Sequence, residues 1–484
     1  MRRVLVVGAG PAGLTAGFNA VQAGWSVTVL EKDPEYVGGI SRTVRHEGYR
    51  FDIGGHRFFS KSAEVTQWWK ERLPDDFIQV KRLSRIYYRH KFFDYPLKPW
   101  NALSNLGLFT SIACVASYGW ARLFPRRPET SLEDWVSNRF GRQLFSIFLK
   151  TYTEKVWGVP CSELSADWAA QRIKGLSLTK AVLNAFKGNP EGAVIKTLID
   201  KFSYPRLGPG QMWEKTAADI RERGGTIAMG MNVTRIRHSA GRVTSIEAVG
   251  ADGRSQSFEA EQFVVSMPLR DTVLAFDPPL SGEARAAASR LRYRDFLTVA
   301  LVVEGPNPFP DNWIYIHEPG VKLGRIQNFK NWSEAMIGEP GTTCLGLEYF
   351  CFEGDGLWSA RDAELIELGK LELGKLGLVE AGRVRAGSVV RVEKAYPIYD
   401  PGYMANLDVI RSELSRFPNL QPVGRNGMHK YNNQDHSMMT AMLAVRNMEG
   451  GSFNLWNVNS DAEYHEESSR SDTSGRRMPE RLQS

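Results

Sequence analysis

The chain has 484 residues, 42% of them hydrophobic and 24% charged, which is the make-up of a globular enzyme too long for one ordinary core. The net charge of +7 is modest and no Lys/Arg-dense run occurs, which argues against a nucleic-acid partner and suits an anionic small ligand such as a nucleotide diphosphate. Four dispersed cysteines without a CxxC give no metal spacing and no disulfide framework, and fit a reduced, cytoplasmic setting.

Met1-Arg2-Arg3 runs straight into a β-branched strand, Val4 to Val7, so no signal peptide is expected. The strand ends in Gly8-Ala9-Gly10-Pro11-Ala12-Gly13, a helix pattern follows to Ala23, and a second strand covers Ser26 to Leu30. A lone GxGxxG is weak evidence. Here it follows a strand, opens a helix and has Glu31 at the end of the next strand. Gly8 permits the tight turn, Gly10 lets backbone approach a pyrophosphate, and Gly13 allows close helix–strand packing. The helix N-terminus offers N–H groups to phosphates, and Glu31 can accept from both ribose hydroxyls, which disfavours a 2′-phosphate. A second glycine cluster, Gly38-Gly39-Ile40-Ser41-Arg42, follows, with Arg42 placed to counter pyrophosphate charge. Phe51-Asp52-Ile53-Gly54-Gly55-His56 then lets backbone approach a flat ring. A simple NAD domain needs neither addition, so the cofactor expected is FAD.

Residues 61–204 read as mostly helical and form the expected substrate or lid region. Ser131 is a plausible N-cap for a helix there. Trp100 to Ala121 carries no charge and approaches the length of a membrane span, but its Asn, Ser and Thr residues favour a buried or surface-seated helix pair. From Gly224 to Pro268 the pattern becomes a β-meander, and Val264 to Pro268 reads as a strand ending under the cofactor. Phe296 to Val303, Trp313 to Ile316 and Thr343 to Phe352 read as strands of a further sheet. Gly424-Arg425 leads to a helix starting near Asn433, whose N-terminus can face the flavin pyrimidine carbonyl. His465 to Ser484 is polar and expected to be disordered.

These elements predict an α/β fold: a Rossmann-like FAD-binding domain in three pieces (1–60, 205–270 with the meander, 401–450), a helical insert, an antiparallel β-sheet domain over 271–400, and a tail over 451–484. The candidate cofactor-binding set is Gly8, Gly10, Pro11, Ala12, Gly13, Glu31, Lys32, Gly39, Ser41, Arg42, Gly54, Gly55, His56, Val233, Arg425, Asn433, Gln434, Asp435 and Ser437.

The segment Phe148-Leu149-Lys150-Thr151-Tyr152-Thr153-Glu154-Lys155-Val156-Trp157-Gly158, with Gln171-Arg172, Gly324-Arg325-Ile326, Tyr396-Pro397-Ile398 and Gly424-Arg425 through Tyr431, resembles the UDP-galactopyranose mutases, a branch of the amine-oxidase-like flavoproteins. With the N-terminal motifs, the resemblance spans most of residues 1–450. It implies a reaction without net redox change. Reduced flavin, supplied by an external reductant such as NAD(P)H, attacks the sugar through N5 and displaces the diphosphate. The flavin N5–sugar adduct opens, and the sugar recloses with pyranose and furanose interconverted. It implies His56 beside the flavin, Arg172 and Arg325 on the diphosphate, and Tyr396 and Tyr431 as hydroxyl donors. Phe148, Tyr152, Thr153, Trp157, His429 and Asn433 would complete the binding of a nucleotide-diphosphate sugar. Gln171 stands where the family has its arginine, His429 where it has a tyrosine, and Asn432-Asn433 where it has Tyr-Asp. These departures leave the base and hexose open.

The residues themselves leave other readings. The i, i+4, i+5, i+9 spacing of Phe148, Tyr152, Thr153 and Trp157 is also that of a core helix face. The FAD motifs would equally serve an amine-oxidase-like or desaturase-like oxidoreductase, or a flavin-binding membrane-surface scaffold. A homodimer is also left open.

Overall fold

A computed structural model describes residues 2–95, 97–164, 166 and 200–459. Its base is a five-stranded, all-parallel sheet in the order Leu420–Pro422, Gln262–Val265, Arg3–Val7, Ser26–Leu30, Thr226–Ala228. Val4 to Val7 are buried on both strand faces, as a central parallel strand must be, which is why the sequence there is an unbroken apolar run. The helix Pro11–Gln22 starts with proline at its first turn and packs on the sheet with the helices Gly210–Glu222 and Gln434–Met448.

A second sheet is the meander Asn232–Ser239, Arg242–Val249, Ser255–Glu259, joined by the short parallel strand Phe276–Asp277. The third sheet has seven strands in the order Val384–Pro397, Tyr293–Glu304, Thr342–Cys351, Arg325–Asn328, Trp313–Ile316, Ser84–Tyr88, Lys91–Asp94. It is antiparallel except where Trp313–Ile316 runs parallel to Ser84–Tyr88. Tyr293–Glu304 and Thr342–Cys351 are buried almost end to end and form its centre.

The expectation of a mostly helical 61–204 is corrected in part. Ser84–Tyr88 and Lys91–Asp94 extend the seven-stranded sheet, and Phe77–Lys81 pairs with Lys201–Pro205. Alternation such as Ser84-Arg85-Ile86 is too short to stand out within a Trp- and Phe-rich stretch, and only the neighbouring strands make it regular. The helices of this region are Pro99–Leu106, Leu108–Leu123 and Leu132–Phe140, followed by Arg142–Trp157, whose Ser146–Lys150 turn is π-helical. Ser131 caps Leu132–Phe140, accepting from the Asp134 N–H at 3.1 Å. Arg172, Gln171 and His465 to Ser484 lie outside the described residues.

Candidate active site

One continuous cleft runs from the turn after Arg3–Val7 to the face of the seven-stranded sheet. Gly8, Gly10, Pro11 and Ala12 line its floor, with Glu31 and Lys32 beside them. Gly8 sits at φ 92°, a left-handed conformation that favours glycine. Gly13 does not reach the cleft. A Cβ there would lie 1.7 Å from the Gly8 carbonyl oxygen, which is the close helix–strand approach expected of it. The Glu31 carboxylate accepts from the backbone N–H of Ala9 at 2.6 Å and of Asp33 at 2.9 Å. Burial raises its pKa, and those two N–H groups pull the other way.

Gly39 and Ser41 line the cleft but Arg42 does not. Its guanidinium is paired with Asp33 at 2.8 Å, so its charge is compensated off the cleft rather than aimed at a pyrophosphate. Val233 lines one side, at the start of the meander. Ser266, Met267 and Pro268 line the floor just beyond the strand Gln262–Val265. Asn433 is the N-cap of Gln434–Met448, its N–H donating to Nδ1 of His436 at 3.2 Å, and Gln434, Asp435 and Ser437 turn the first helical turn into the cleft.

The far wall comes from the seven-stranded sheet. Arg325 stands directly across the strand pair from Glu348, its Nε 2.6 Å from a carboxylate oxygen. Glu348 is fully buried and takes a second bond from Gln327 at 2.7 Å. Burial opposes the charge on Arg325, but Glu348 outweighs it and holds the guanidinium pKa above its ordinary value. The group lies against the second glycine pair. A Cβ on Gly55 would be 3.0 Å from Gln327, and one on Gly54 3.9 Å from Glu348. His56 lines the cleft between these walls and its Nε2 donates to the Ile53 carbonyl at 2.9 Å. Burial, then the Arg425 charge, push its pKa down to about 4, so it is a neutral imidazole at pH 7.

Arg425 is held by the carbonyls of Asn432 at 2.9 Å and Ala395 at 3.3 Å, and among the described residues it pairs with no carboxylate. Its guanidinium lies 4.7 Å from the Tyr431 ring and 5.4 Å from Tyr396, and these two rings stack 5.7 Å apart. Trp313, Tyr315 and Trp332 add an aromatic wall that sequence reasoning did not single out. The alternation Trp313-Ile314-Tyr315 put both rings on one strand face and was the available signal.

Several expected substrate contacts lie elsewhere. Phe148 is buried against Phe93 and Cys114, and Trp157 against Trp135 and Phe140. Thr153 is buried on the same helical stretch, and none of the three lines the cleft. In this structure the three pack as a core helix face. His429 is also off the cleft, in ring contact with Tyr293 at 4.8 Å. Tyr152 stacks on His317 at 5.0 Å and meets the cleft residue Tyr315 edge-on at 5.5 Å. The rest of that block is a clamp. The Lys155 ammonium binds the carbonyls of Ile316, Glu318 and Leu323, at 2.6–3.3 Å, just before Arg325. Gly158, at φ 66°, leaves room for the Arg294 guanidinium, which a Cβ would meet at 2.4 Å.

Burial of ionisable groups carries a stability prediction. His56 and His429 are held near pKa 4 and His317 near 3, all chiefly by burial. Below the unfolded pKa of about 6.5, the unfolded chain takes up protons that the folded chain refuses, so these histidines stabilise above 6.5 and lose that contribution as pH falls. Asp52, raised by burial to about 7, and Glu31, also raised, act oppositely. Three histidines less two carboxyls leave roughly one to two extra protons on the unfolded chain near pH 5, or about 2 kcal/mol per pH unit. The thermal midpoint is therefore expected to level off above about pH 7 and to fall towards pH 5; a flat midpoint between about pH 7 and pH 5 would refute it.

A parallel dinucleotide sheet with an acid-ended second strand, joined through one cleft to the seven-stranded sheet, defines a dinucleotide-cofactor protein. The chain belongs to the flavin-containing amine oxidoreductase family, whose profile matches residues 11–395. Its fold is that of a reduced UDP-galactopyranose mutase structure, at TM-score 0.80 and 21% identity over 96% of this chain and 98% of the other. A variant of putrescine oxidase (0.61; 16%; 92% and 99%) and a fatty acid isomerase from P. acnes (0.59; 16%; 92% and 98%) share the fold more distantly. Among curated sequences it is similar to a 4,4'-diapophytoene desaturase of Methylomonas sp, 32% identical over 18% of this chain and 17% of the relative. An L-amino-acid oxidase of Crotalus adamanteus is 33% identical over 20% and 22%. The chain thus matches only about a fifth of the length of these relatives. Membership of a flavin-containing family indicates FAD, and the glycine floor, Glu31 and the helix start at Gln434 are a cradle of the right chemistry for it.

Proposed function

We propose that the protein is an FAD-dependent nucleotide-sugar mutase, interconverting pyranose and furanose forms of an NDP-hexose with no net redox change. The observation that carries this reading is the cation and hydroxyl set formed by Arg325, Arg425, Tyr396 and Tyr431, opposite the Gly54-Gly55-His56 turn. An oxidase acting on a neutral amine has no use for two guanidiniums beside its cofactor. A diphosphate leaving group needs them, because charge grows on its oxygens as the bond to the sugar breaks. When bound and reduced, for which NAD(P)H is a suitable donor, the flavin supplies a nucleophilic edge at this place.

The chain's own residues divide the remaining work. Arg425, uncompensated by any carboxylate among the described residues, contributes net positive charge to the diphosphate. Arg325, fixed by Glu348, contributes a rigid donor. Tyr396 and Tyr431 donate hydroxyls to phosphate or sugar oxygens. Trp313, Tyr315 and Trp332 give the nucleobase a flat apolar surface. His56, neutral, fixes the turn at the cofactor without adding a charge that would repel the two arginines.

A second reading, an amine-oxidase-like or desaturase-like oxidoreductase, is favoured by the curated relatives. One assay separates the two. Dithionite-reduced protein is incubated with a panel of UDP-, GDP- and TDP-hexoses, and products and reductant are both measured. Ring-size isomers of one sugar nucleotide, formed over many turnovers without consumption of reductant, are expected. Consumption of one reductant or one oxygen per product would establish the oxidoreductase instead.

A further inference from the structure

The helix Leu108–Leu123 is fixed on one side and bare on the other. Its underside is seated by Ser111, Cys114 and Ala121, which are buried. Ser117 accepts from the Gln143 N–H at 3.1 Å. Gly141 lies so close that a Cβ there would be 2.7 Å from the Tyr118 backbone nitrogen. The outward face carries Phe109, Ile112, Val115, Trp120, Leu123 and Phe124, with Phe109 89% and Leu123 74% exposed. Seven of the twelve exposed large apolar side chains among the described residues fall between Leu108 and Phe124. An apolar stripe of this size on a rigid support is a binding face rather than scattered surface hydrophobicity.

Charge selects what the face binds. Residues 95–128 contain no Asp or Glu, while Lys98, Arg122, Arg126 and Arg127 are all cationic. Lys98 and Arg126 are paired with nearby carboxylates, but Arg122 and Arg127 are exposed and pair with none among the described residues. They stand at the helix end where Trp120 and Phe124 lie with ring centres 4.5 Å apart. An apolar face running the length of the helix, with an aromatic pair and these two cations at one end, matches a helix lying in the plane of a lipid surface: apolar side chains towards the acyl chains, aromatics at the interface, cations on anionic headgroups. The helix has 16 residues, about 24 Å at 1.5 Å each. No helix among the described residues is long and apolar enough to cross a membrane.

We infer that the outward face of Leu108–Leu123 docks the protein in the plane of an anionic lipid surface, with Arg122 and Arg127 on the headgroups. The inference is independent of the mutase proposal, since it rests on residues outside the cleft.

Sedimentation of the flavin-loaded protein with phosphatidylcholine vesicles, with and without phosphatidylglycerol, tests it. Binding to the anionic vesicles, weakened by added salt, is expected. Phe109→Asp with Ile112→Asp should lower partitioning by at least about tenfold, and Arg122→Glu with Arg127→Glu should remove the preference for anionic lipid. Leu371→Asp, at another exposed apolar position, should change nothing. Bound flavin reports that each variant is folded. Because Trp120 is on the face, brominated lipid should quench part of the wild-type tryptophan emission, and Trp120→Tyr should abolish that part. Absence of both vesicle binding and quenching overturns the inference. So does a wild-type dimer that the Phe109→Asp/Ile112→Asp variant dissociates, since a second copy would then cover the face.

Discussion

Gly13→Ala is expected to give protein that purifies without its flavin, with bound cofactor below about a tenth of the wild-type content, because the added methyl must displace backbone. The new Cβ would stand 1.7 Å from the Gly8 carbonyl oxygen and 2.9 Å from its carbonyl carbon. Neither is the end of a flexible side chain. Gly8 is itself held in its turn, at φ 92° with its N–H donating to the Leu30 carbonyl at 2.7 Å. Helix Pro11–Gln22 must therefore lift from strand Arg3–Val7, and its N-terminus leaves the place where a pyrophosphate is held. Gly17→Ala is the control on the same helix. Its Cβ meets side chains rather than backbone, Ile220 and Val29 at 3.2 Å and Val27 at 3.6 Å, and alanine is the better helix former by about 1 kcal/mol. Absorbance of bound flavin per chain measures both. Full flavin content in Gly13→Ala would show that the tight approach is not what holds the cofactor.

Arg325→Lys is expected to keep bound flavin and lose turnover, on the order of a hundredfold, as for removal of one preorganised donor. Lysine retains the charge opposite Glu348 but cannot span the carboxylate and a phosphate with a planar fork. Arg325→Ala is less informative, since it strands a fully buried carboxylate at a cost of about 3–5 kcal/mol. The paired change Arg325→Gln with Glu348→Gln removes that problem: stability should return towards wild type while turnover stays low. Wild-type rates in Arg325→Lys, measured with the sugar nucleotide that turns over, would remove Arg325 from the diphosphate site.

The dinucleotide half was legible because it is local. Gly8, Gly10 and Gly13 have fixed roles in one turn, Glu31 follows at one strand's distance, and all are set by a single β-α-β unit. The meander and the helix starting at Gln434 were legible for the same reason, periodicity over one continuous stretch. The substrate half was not local. Arg325 could be picked out, but nothing near it in the chain announces Glu348, which reaches it only through strand pairing. Arg42 looked like a phosphate ligand until Asp33 took its charge. Phe148 and Trp157 fit a base-binding site and a core helix face equally well in the sequence, and only the packing of that helix shows them buried in apolar clusters.

By itself, then, the sequence determined the cofactor end of the protein: the turn, the acid, the α/β class and the presence of a second sheet. Tertiary structure decided which charges are spent and which remain. Arg325 and Arg42 both end beside carboxylates, while Arg425 has none among the described residues. It also decided that the apolar run after Trp100 includes a helix half-sunk in the protein, with its outer face bare. The physical reason is the same in each case. Backbone conformation is dictated by neighbours in sequence, whereas charge compensation and burial are dictated by neighbours in space.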